Sequence, residues 1–460
     1  MPLSTPDTNY TKMLDIWHKT RAAANGGPAV YEGNFLRKFN PIDEERQEQY
    51  KKGAYYMNIT GRTQEALLGA IFRHDPETNV PALLDYVMEN ADGAGQSITQ
   101  VGKEICNDIM ETGRYGILAD YPEAPENITA EQVRVLDLRP YMCLYPAESI
   151  IKVRVKTILG KSVLSLVVLK EPIEVYINEF DEKKTHQFRV LRLTDGVFTV
   201  QVYDDEENPV TNAYAPLRGS DTWNRIPFHI IGAMNNLPEP DMPPLYPLAE
   251  LNIAHYQTTA DHRENLFIHG QLTLGISSDL SPIAFAEANP SGVIVGARAG
   301  HFLGPNGKFT TATAPESSSL RVALQDLREE MASIGAKLVN KGGQAETAET
   351  ARINAASELS VLQMLVGNVS EGMEAALEDM AEYQGVDPAQ VQFRLNTDFF
   401  EDGIDPQQVM ADIALFDRGL VAKQDVRRNL RQAGRLDPAR TDEEIDVDAA
   451  ENLANNTLDE

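Results

Sequence analysis

Between Leu320 and Leu338, apolar residues recur at alternating steps of four and three: Leu320, Leu324, Leu327, Met331, Ile334 and Leu338. That spacing predicts a helix with a heptad-type seam. Ser317 or Ser318 stands where the free N–H groups of a first turn need an acceptor. Asn340-Lys341-Gly342-Gly343 stops the pattern. A second stripe follows: Ala351, Ala355, Leu359, Leu362, Val366, Val369, Met373, Ala376, Met380 and Tyr383, with Thr347 as a cap and Gly385 where the helix ends. This helix is roughly 36 residues and about 54 Å long, against an average of about 11–12 residues. A helix of that length with one apolar stripe needs neighbours. They can come from the same chain, as a hairpin inside a large core, or from copies of it.

The rest of the chain alternates between helical and strand-like patterning. Residues 8–24, 42–57, 63–73 and 97–112 read as helices, closed at Asn25-Gly26-Gly27-Pro28 for the first and Gly113 for the last. Ile117-Leu118-Ala119 reads as a buried strand. From Arg134 to about Ile231 the signal is strand: Val135–Leu138, Ile150–Val155, Leu164–Leu169, Val175–Phe180, Phe188–Leu193 and Val197–Tyr203, with turns at Thr194-Asp195-Gly196 and Asp204–Asn208. After the proline-rich stretch Pro238–Pro244, a helix is expected from Pro247 to His269, with Gly270 at its C′ position. Residues 271–312 return to strands at Leu272–Ile276, Val293–Val295 and His301–Leu303. Short helices such as Pro406–Phe416 and Lys423–Ala433 are expected beyond residue 385. The fold class is α+β.

Composition narrows the function classes. A chain of 460 residues implies two to four subdomains. No apolar run reaches the roughly 18 residues of a membrane span, and Met1-Pro2-Leu3-Ser4-Thr5 is no signal peptide. Cys106 and Cys143 are the two cysteines, too few for a disulfide framework or a cysteine zinc site. A formal net charge of −28 argues against ordinary nucleic-acid binding, which needs neutralised phosphates. It is compatible with nucleic acid kept at a distance, and equally with solubility alone. The last segment, Thr441 to Glu460, is acidic without Lys or Arg and reads as a disordered tail.

Recognisable catalytic chemistry is missing. There is no Walker A sequence, no HExxH, and only the start of a GxGxxG at Gly93 and Gly95. His255, His262 and His269 repeat every seven residues, about 10.5 Å apart along a helix. One metal ion cannot bridge that, so they are taken as surface or interface residues. The acidic runs Asp204–Glu207 and Asp442–Glu444 read as solvated charge. No catalytic, cofactor or metal residue is nominated, and the chain is not expected to be an enzyme.

Several local phrases, in their order, resemble one family of phage portal proteins, the podovirus-type portals. They are Asn58-Ile59-Thr60-Gly61-Arg62-Thr63 with Leu68-Gly69 and Ile71-Phe72-Arg73; Gly113-Arg114-Tyr115-Gly116-Ile117-Leu118-Ala119-Asp120; Arg139-Pro140-Tyr141; Ile226-Pro227-Phe228; and Pro243-Pro244-Leu245 with Leu248-Ala249 and Leu251-Asn252. Thr347-Ala348 through Leu359 is similar to that family's late helix. The similarity spans roughly residues 10–385 and fades afterwards.

The resemblance implies a dodecameric ring at one capsid vertex of a virion, assembled in the host cytoplasm. Double-stranded DNA passes through its channel without sequence-specific contacts. The expected partners are terminase, the major capsid protein and head-completion or tail adaptor proteins, with no membrane. It places a wing at 1–242, a first stem helix at 243–269 and a clip at 270–316. A second stem helix (317–338), a tunnel loop (339–348), a long wing helix (349–385), a crown (386–440) and the tail (441–460) follow. Asn340, Lys341, Gly342, Gly343, Gln344 and Glu346 would form the tunnel loop. Leu320, Leu324, Leu327, Met331 and Ile334 would line the stem subunit interface. Lys337 and Lys341 are either transient DNA contacts or ordinary helix C-terminal cations. The alternative, from another class, is a helical-rich enzyme or regulator with an unrecognised site.

Overall fold

The computed structural model describes residues 2–38, 43–122, 138–158, 160–176, 178, 181–219, 221–270, 273–294, 300–312, 318–339, 348–397 and 399, with isolated positions from 422 to 446. The chain divides into two compact units, Met1–Leu395 and Asn396–Glu460. In the second, the Arg427 guanidinium donates to the Asp446 carboxylate at 2.5 and 3.2 Å and to the Asp442 carbonyl at 3.1 Å.

The first unit is α+β. Its helices are α1 (Thr8–Asn25), α2 (Gly27–Glu32), α3 (Glu44–Gly53), α4 (Ile59–Ile71), α5 (Ile98–Thr112), α6 (Tyr246–Gly270), α7 (Pro282–Ala288), α8 (Ser318–Val339) and α9 (Ala348–Tyr383). Its strands are β1 (Glu77–Asn79), β2 (Arg114–Asp120), β3 (Tyr141–Pro146), β4 (Ile150–Ile158), β5 (Lys161–Tyr176), β6 (Glu182–Thr194), β7 (Val197–Tyr203), β8 (Leu217–Arg218), β9 (Asp221–Thr222), β10 (Phe228–Gly232), β11 (Thr273–Ser277), β12 (Lys308–Ala312) and β13 (Gln392–Arg394). All pairings among them are antiparallel, in the orders β10-β2-β3, β4-β5-β6-β7, β1-β13, β8-β9 and β11-β12.

Local chemistry explains most boundaries. At α5 the Ser97 hydroxyl accepts from the Gln100 N–H, and the Gln100 side chain accepts from the Ser97 N–H, a capping box. Gly113 ends α5 in the left-handed region (φ 70°), and an added Cβ would meet the Asp241 carbonyl oxygen at 2.3 Å. Asp43 caps α3, which carries Glu44 and Glu45 in its first turn and Lys51 and Lys52 in its last, matching the helix dipole. Asn58 caps α4 by accepting from the Gly61 N–H, so this helix starts at Ile59 rather than at the expected 63. Gly26 ends α1, but Pro28 does not stop the chain. It sits in the first turn of α2, where its missing N–H costs nothing.

The strand reading at 164–169 belongs to one longer strand, β5, which passes straight through Lys170-Glu171-Pro172 and takes in Val175 and Tyr176 of the reading at 175–180; Ile177, Glu179 and Phe180 lie outside the described residues. Pro172 is tolerated because residues 170–176 pair only with β6, on one side, while β4 pairs with residues 161–169. The β6–β7 connection is the two-residue turn Asp195-Gly196, with φ 53° and 79°, as an Asp-Gly hairpin requires. The expected strand at His301–Leu303 is not formed. The partner of β11 is β12, and α7 lies between them.

Two apolar clusters among the described residues fix the position of α1 and α6. One places Tyr10, Met13 and Trp17 of α1 against Ile151, Val168, Phe188 and Val190 of the four-stranded meander. The Trp17 indole N–H donates to the Thr112 carbonyl at 2.7 Å. The other gathers Ala22, Val30, Leu36, Tyr50 and Tyr56 around Ala249, Ile253, Tyr256 and Ala260 of α6. The C-terminal half of α9 lies on β2 and β10, burying Val366, Val369, Met373, Ala376 and Met380, the residues its stripe predicts. Arg225 and His229 clamp it through Asp379, the histidine at 2.8 Å. At Gly372 of this helix an added Cβ would lie 2.5 Å from the Ile231 side chain. Gly372→Leu is therefore expected to cost about 1–3 kcal/mol through overpacking, read as a lower urea midpoint at unchanged slope.

Arg21 binds three carboxylates at once: Asp108 at 2.8 Å, Glu111 at 2.9 Å and Glu148 at 2.5 Å. It thereby joins α1, α5 and the turn before β4. Burial pushes Asp108 up to about 6 and raises Glu111, against the pull of the Arg21 charge.

Candidate functional site

The two helices expected as a stem, α6 and α8, pack against each other, and α8 also packs on α4. They are 25 and 22 residues long, about 37 and 33 Å at 1.5 Å per residue. At Gly335 a Cβ would lie 3.3 Å from the Thr63 hydroxyl, so α8 and α4 approach closely there.

The seam residues fall into two groups. Leu324 and Met331 are buried within the chain itself, whereas Leu320, Leu327 and Ile334 are half-buried. Part of the wall for this stripe is therefore supplied by the same chain, and the remainder is left partly open. The side chains of Lys337 and Leu338 lie outside the described residues, as do Asn340, Lys341, Gly342, Gly343, Gln344 and Glu346 of the expected tunnel loop and the cap Thr347.

His255, expected at a surface or an interface, is fully buried. Its Nε2 accepts from the Arg328 Nε–H of α8 at 3.2 Å. Burial lowers its pKa and the Arg328 charge lowers it further, so the ring is neutral. His262 and His269 are half-buried. Among the described residues, no group of three or more His, Cys, Asp or Glu is placed to hold a metal ion. Burial raises both thiols, Cys143 up to about 12.

Sequence reasoning missed Asn252. It is wholly buried on α6. Its Oδ1 accepts from the N–H groups of Ile59 and Thr60 at 3.2 and 3.1 Å and from the Thr60 hydroxyl at 3.0 Å, while its Nδ2 donates to the Met57 carbonyl at 2.8 Å. One side chain of α6 thus serves the open N-terminus of α4. A signal existed: asparagine is a poor interior helix residue, and this one sits between Leu251 and Ile253.

Large apolar side chains are exposed at the end of α6, at Leu266 and Phe267, and in the excursion that follows, at Ile283, Ile294, Phe302 and Phe309, Ile283 at 74%. Such a run of large apolar side chains at a surface marks a contact region.

A family described as "Domain of unknown function (DUF4055)" matches residues 244–384. That span begins two residues before α6 and ends one residue after α9, so it takes in both packed helices, the excursion and the long helix. No curated protein matches. Solved structures that match include "Neck of empty GTA particle computed with C6 symmetry", with 14% identity, 85% of this chain and 94% of that chain covered, and a TM-score of 0.39. "Neck of native GTA particle computed with C12 symmetry" matches with 13% identity, the same coverage and a TM-score of 0.37. Among the described residues, no helix is long and apolar enough to cross a membrane.

Proposed function

We propose that this chain is the subunit of a phage portal: a dodecameric ring at one vertex of the virion, through which DNA is packaged and ejected. The observation that carries the reading is the pair α6 and α8, joined by an excursion in which Ile283, Ile294, Phe302 and Phe309 lack cover in a single copy. Neighbouring copies would cover them, and a ring is the closed form of such head-to-tail contacts. The ordered resemblance to podovirus-type portals supports the same reading and supplies the roles. α6 and α8 are the stem, residues 270–316 the clip that meets terminase and later adaptor proteins, and residues 339–348 the tunnel loop. A formal charge of −28 per copy disfavours stable phosphate contacts, as a channel that DNA must pass without sticking requires.

Electron microscopy of the purified full-length protein tests this directly. Rings with a central hole are expected. A compact monomer whose melting responds to a small ligand would overturn the reading in favour of an enzyme or regulator.

The stem gives a sharper test. Leu327 is half-buried in one copy, so Leu327→Asp is expected to leave the subunit folded but block ring formation. Burying an unpaired charge costs several kcal/mol or more at each interface. Met331 is already enclosed by its own chain, so Met331→Ala is expected to cost about 2–5 kcal/mol in the subunit itself. Size-exclusion with light scattering separates the two. An intact Leu327→Asp ring would place this position away from the subunit interface.

A further inference from the structure

The four-stranded meander carries opposite charge at its two ends. At one end, β6 pairs with β5 from Tyr176 back to Leu166, leaving residues 161–165 of β5 paired only with β4. This two-stranded ribbon stands clear of the core. Every described residue from Arg154 to Ser162 is exposed, Val155 and Ile158 included. A ribbon of two strands is marginal without a partner. Residues 149–170 contain five Lys and Arg and no Asp or Glu, in a chain whose net charge is −28. Within the chain, Arg154 pairs with Asp7 at 2.7 Å and Lys152 donates to the Pro2 carbonyl. Lys156 and Lys161 face solvent near the tip.

The other end is acidic. Residues 172–186 and 204–207 together hold eight carboxylates and two lysines. The acidic loop after β7 is tied to the start of β6 by the Thr185 hydroxyl, which donates to Asp205 at 2.8 Å. Glu174, Asp181, Asp205 and Glu206 are exposed, and so is the apolar Val175. β5 runs the whole distance between the ends. Its 16 residues span about 50 Å at roughly 3.3 Å per residue. A continuous strand holds the ribbon tip away from the far end of β5, so one copy cannot close Lys156 and Lys161 on Glu174; it is Lys152, at the base of the ribbon, that acts on the loop after β7, at Glu207.

We propose that the basic ribbon of one copy docks on the acidic end of this sheet in the next copy. The occupant is a second copy because the chain itself carries the complementary charge, with exposed valine or isoleucine at both ends to bury alongside it. The two ends differ, so the contact is heterologous and propagates around a ring. It rests on the ring reading above and adds a contact in the wing, outside the matched span 244–384.

Two full-length variants test it: Lys156→Glu with Lys161→Glu, and Glu174→Lys with Glu206→Lys. All four positions are exposed, so subunit melting followed by circular dichroism should match the parent. Each variant alone is expected to form rings at least about ten-fold less readily at low salt, since like charges then face each other. Mixed one to one, they should recover rings of even copy number by native mass spectrometry, because each presents the charge the other needs. Parent assembly should also weaken with added salt. Undiminished rings in either variant, or a mixture that recovers nothing, would overturn the wing contact while leaving the ring reading intact. A parent chain that stays monomeric would overturn both.

Discussion

Asn252→Leu is expected to destabilise the first unit by at least about 4 kcal/mol, because several buried donors and acceptors lose their partners together. Leucine keeps the branched skeleton of asparagine, is bulkier, and has the better helix propensity, so neither a cavity nor a weaker α6 would explain the loss. What is removed is an acceptor shared by the Ile59 and Thr60 N–H groups and the Thr60 hydroxyl, and a donor to the Met57 carbonyl. All lie in a site without exposure at Asn252 or Thr60. Chemical denaturation at fixed pH measures the effect. Asn252→Asp, which keeps the acceptor and loses the donor, should recover part of it. A Leu variant within 1 kcal/mol of the parent would mean that water satisfies the α4 terminus instead.

Arg21→Met should be comparably severe at neutral pH, about 3–5 kcal/mol, since it strands three carboxylates with no cation among them. The parent protein already shows the underlying tension. Asp108 is held at about 6 in the folded state, above its ordinary value, and Glu111 is raised as well. Between roughly pH 4 and pH 6 the folded state therefore binds more protons than the unfolded chain. This contribution to stability is fully present below about pH 4 and is lost as pH rises through 6. In Arg21→Met the carboxylates should hold their protons to still higher pH, so the window widens and the variant gains most from acidification. Asp108→Asn should flatten the pH 4–6 region. Melting temperatures across pH 4 to 8 check all three, and a parallel profile for parent and Asp108→Asn would sink the assignment.

What the sequence made legible, it made legible through punctuation. Ser97 and Gly113 bracket α5, and Asp195-Gly196 sets a hairpin, because capping and positive φ are local demands that few residues meet. The heptad seam of α8 was equally plain, yet its neighbours were not. Periodicity says that Leu324 and Met331 are covered, while α6 and α4 doing part of the covering is a tertiary fact. The run of β5 beyond residue 169 is a tertiary fact too: Pro172 sits inside the strand only because β4 is absent beside that half of it. β12 was missed because Lys308-Phe309-Thr310-Thr311 follows a glycine-rich stretch and has a single partner to reveal it. Asn252 was legible as an oddity and illegible as a cap, since the helix it serves lies 193 positions away in sequence.

That distance has a mechanical side. α6 is held along one flank by fixed partners: Lys19 to Glu250, Asn252 to the start of α4, Tyr50 to Asp261 at 2.6 Å, and Arg263 to the Gly53 carbonyl at 2.8 Å. Each fixes particular donors and acceptors at one height on the helix. A shift of one turn, about 5.4 Å along the axis, would break all of them and offer no equivalent set. A load applied at the far end of α6 therefore cannot be relieved by sliding. It is delivered sideways into α3 and α4, so that any stroke of this helix is a rocking of the whole helical layer.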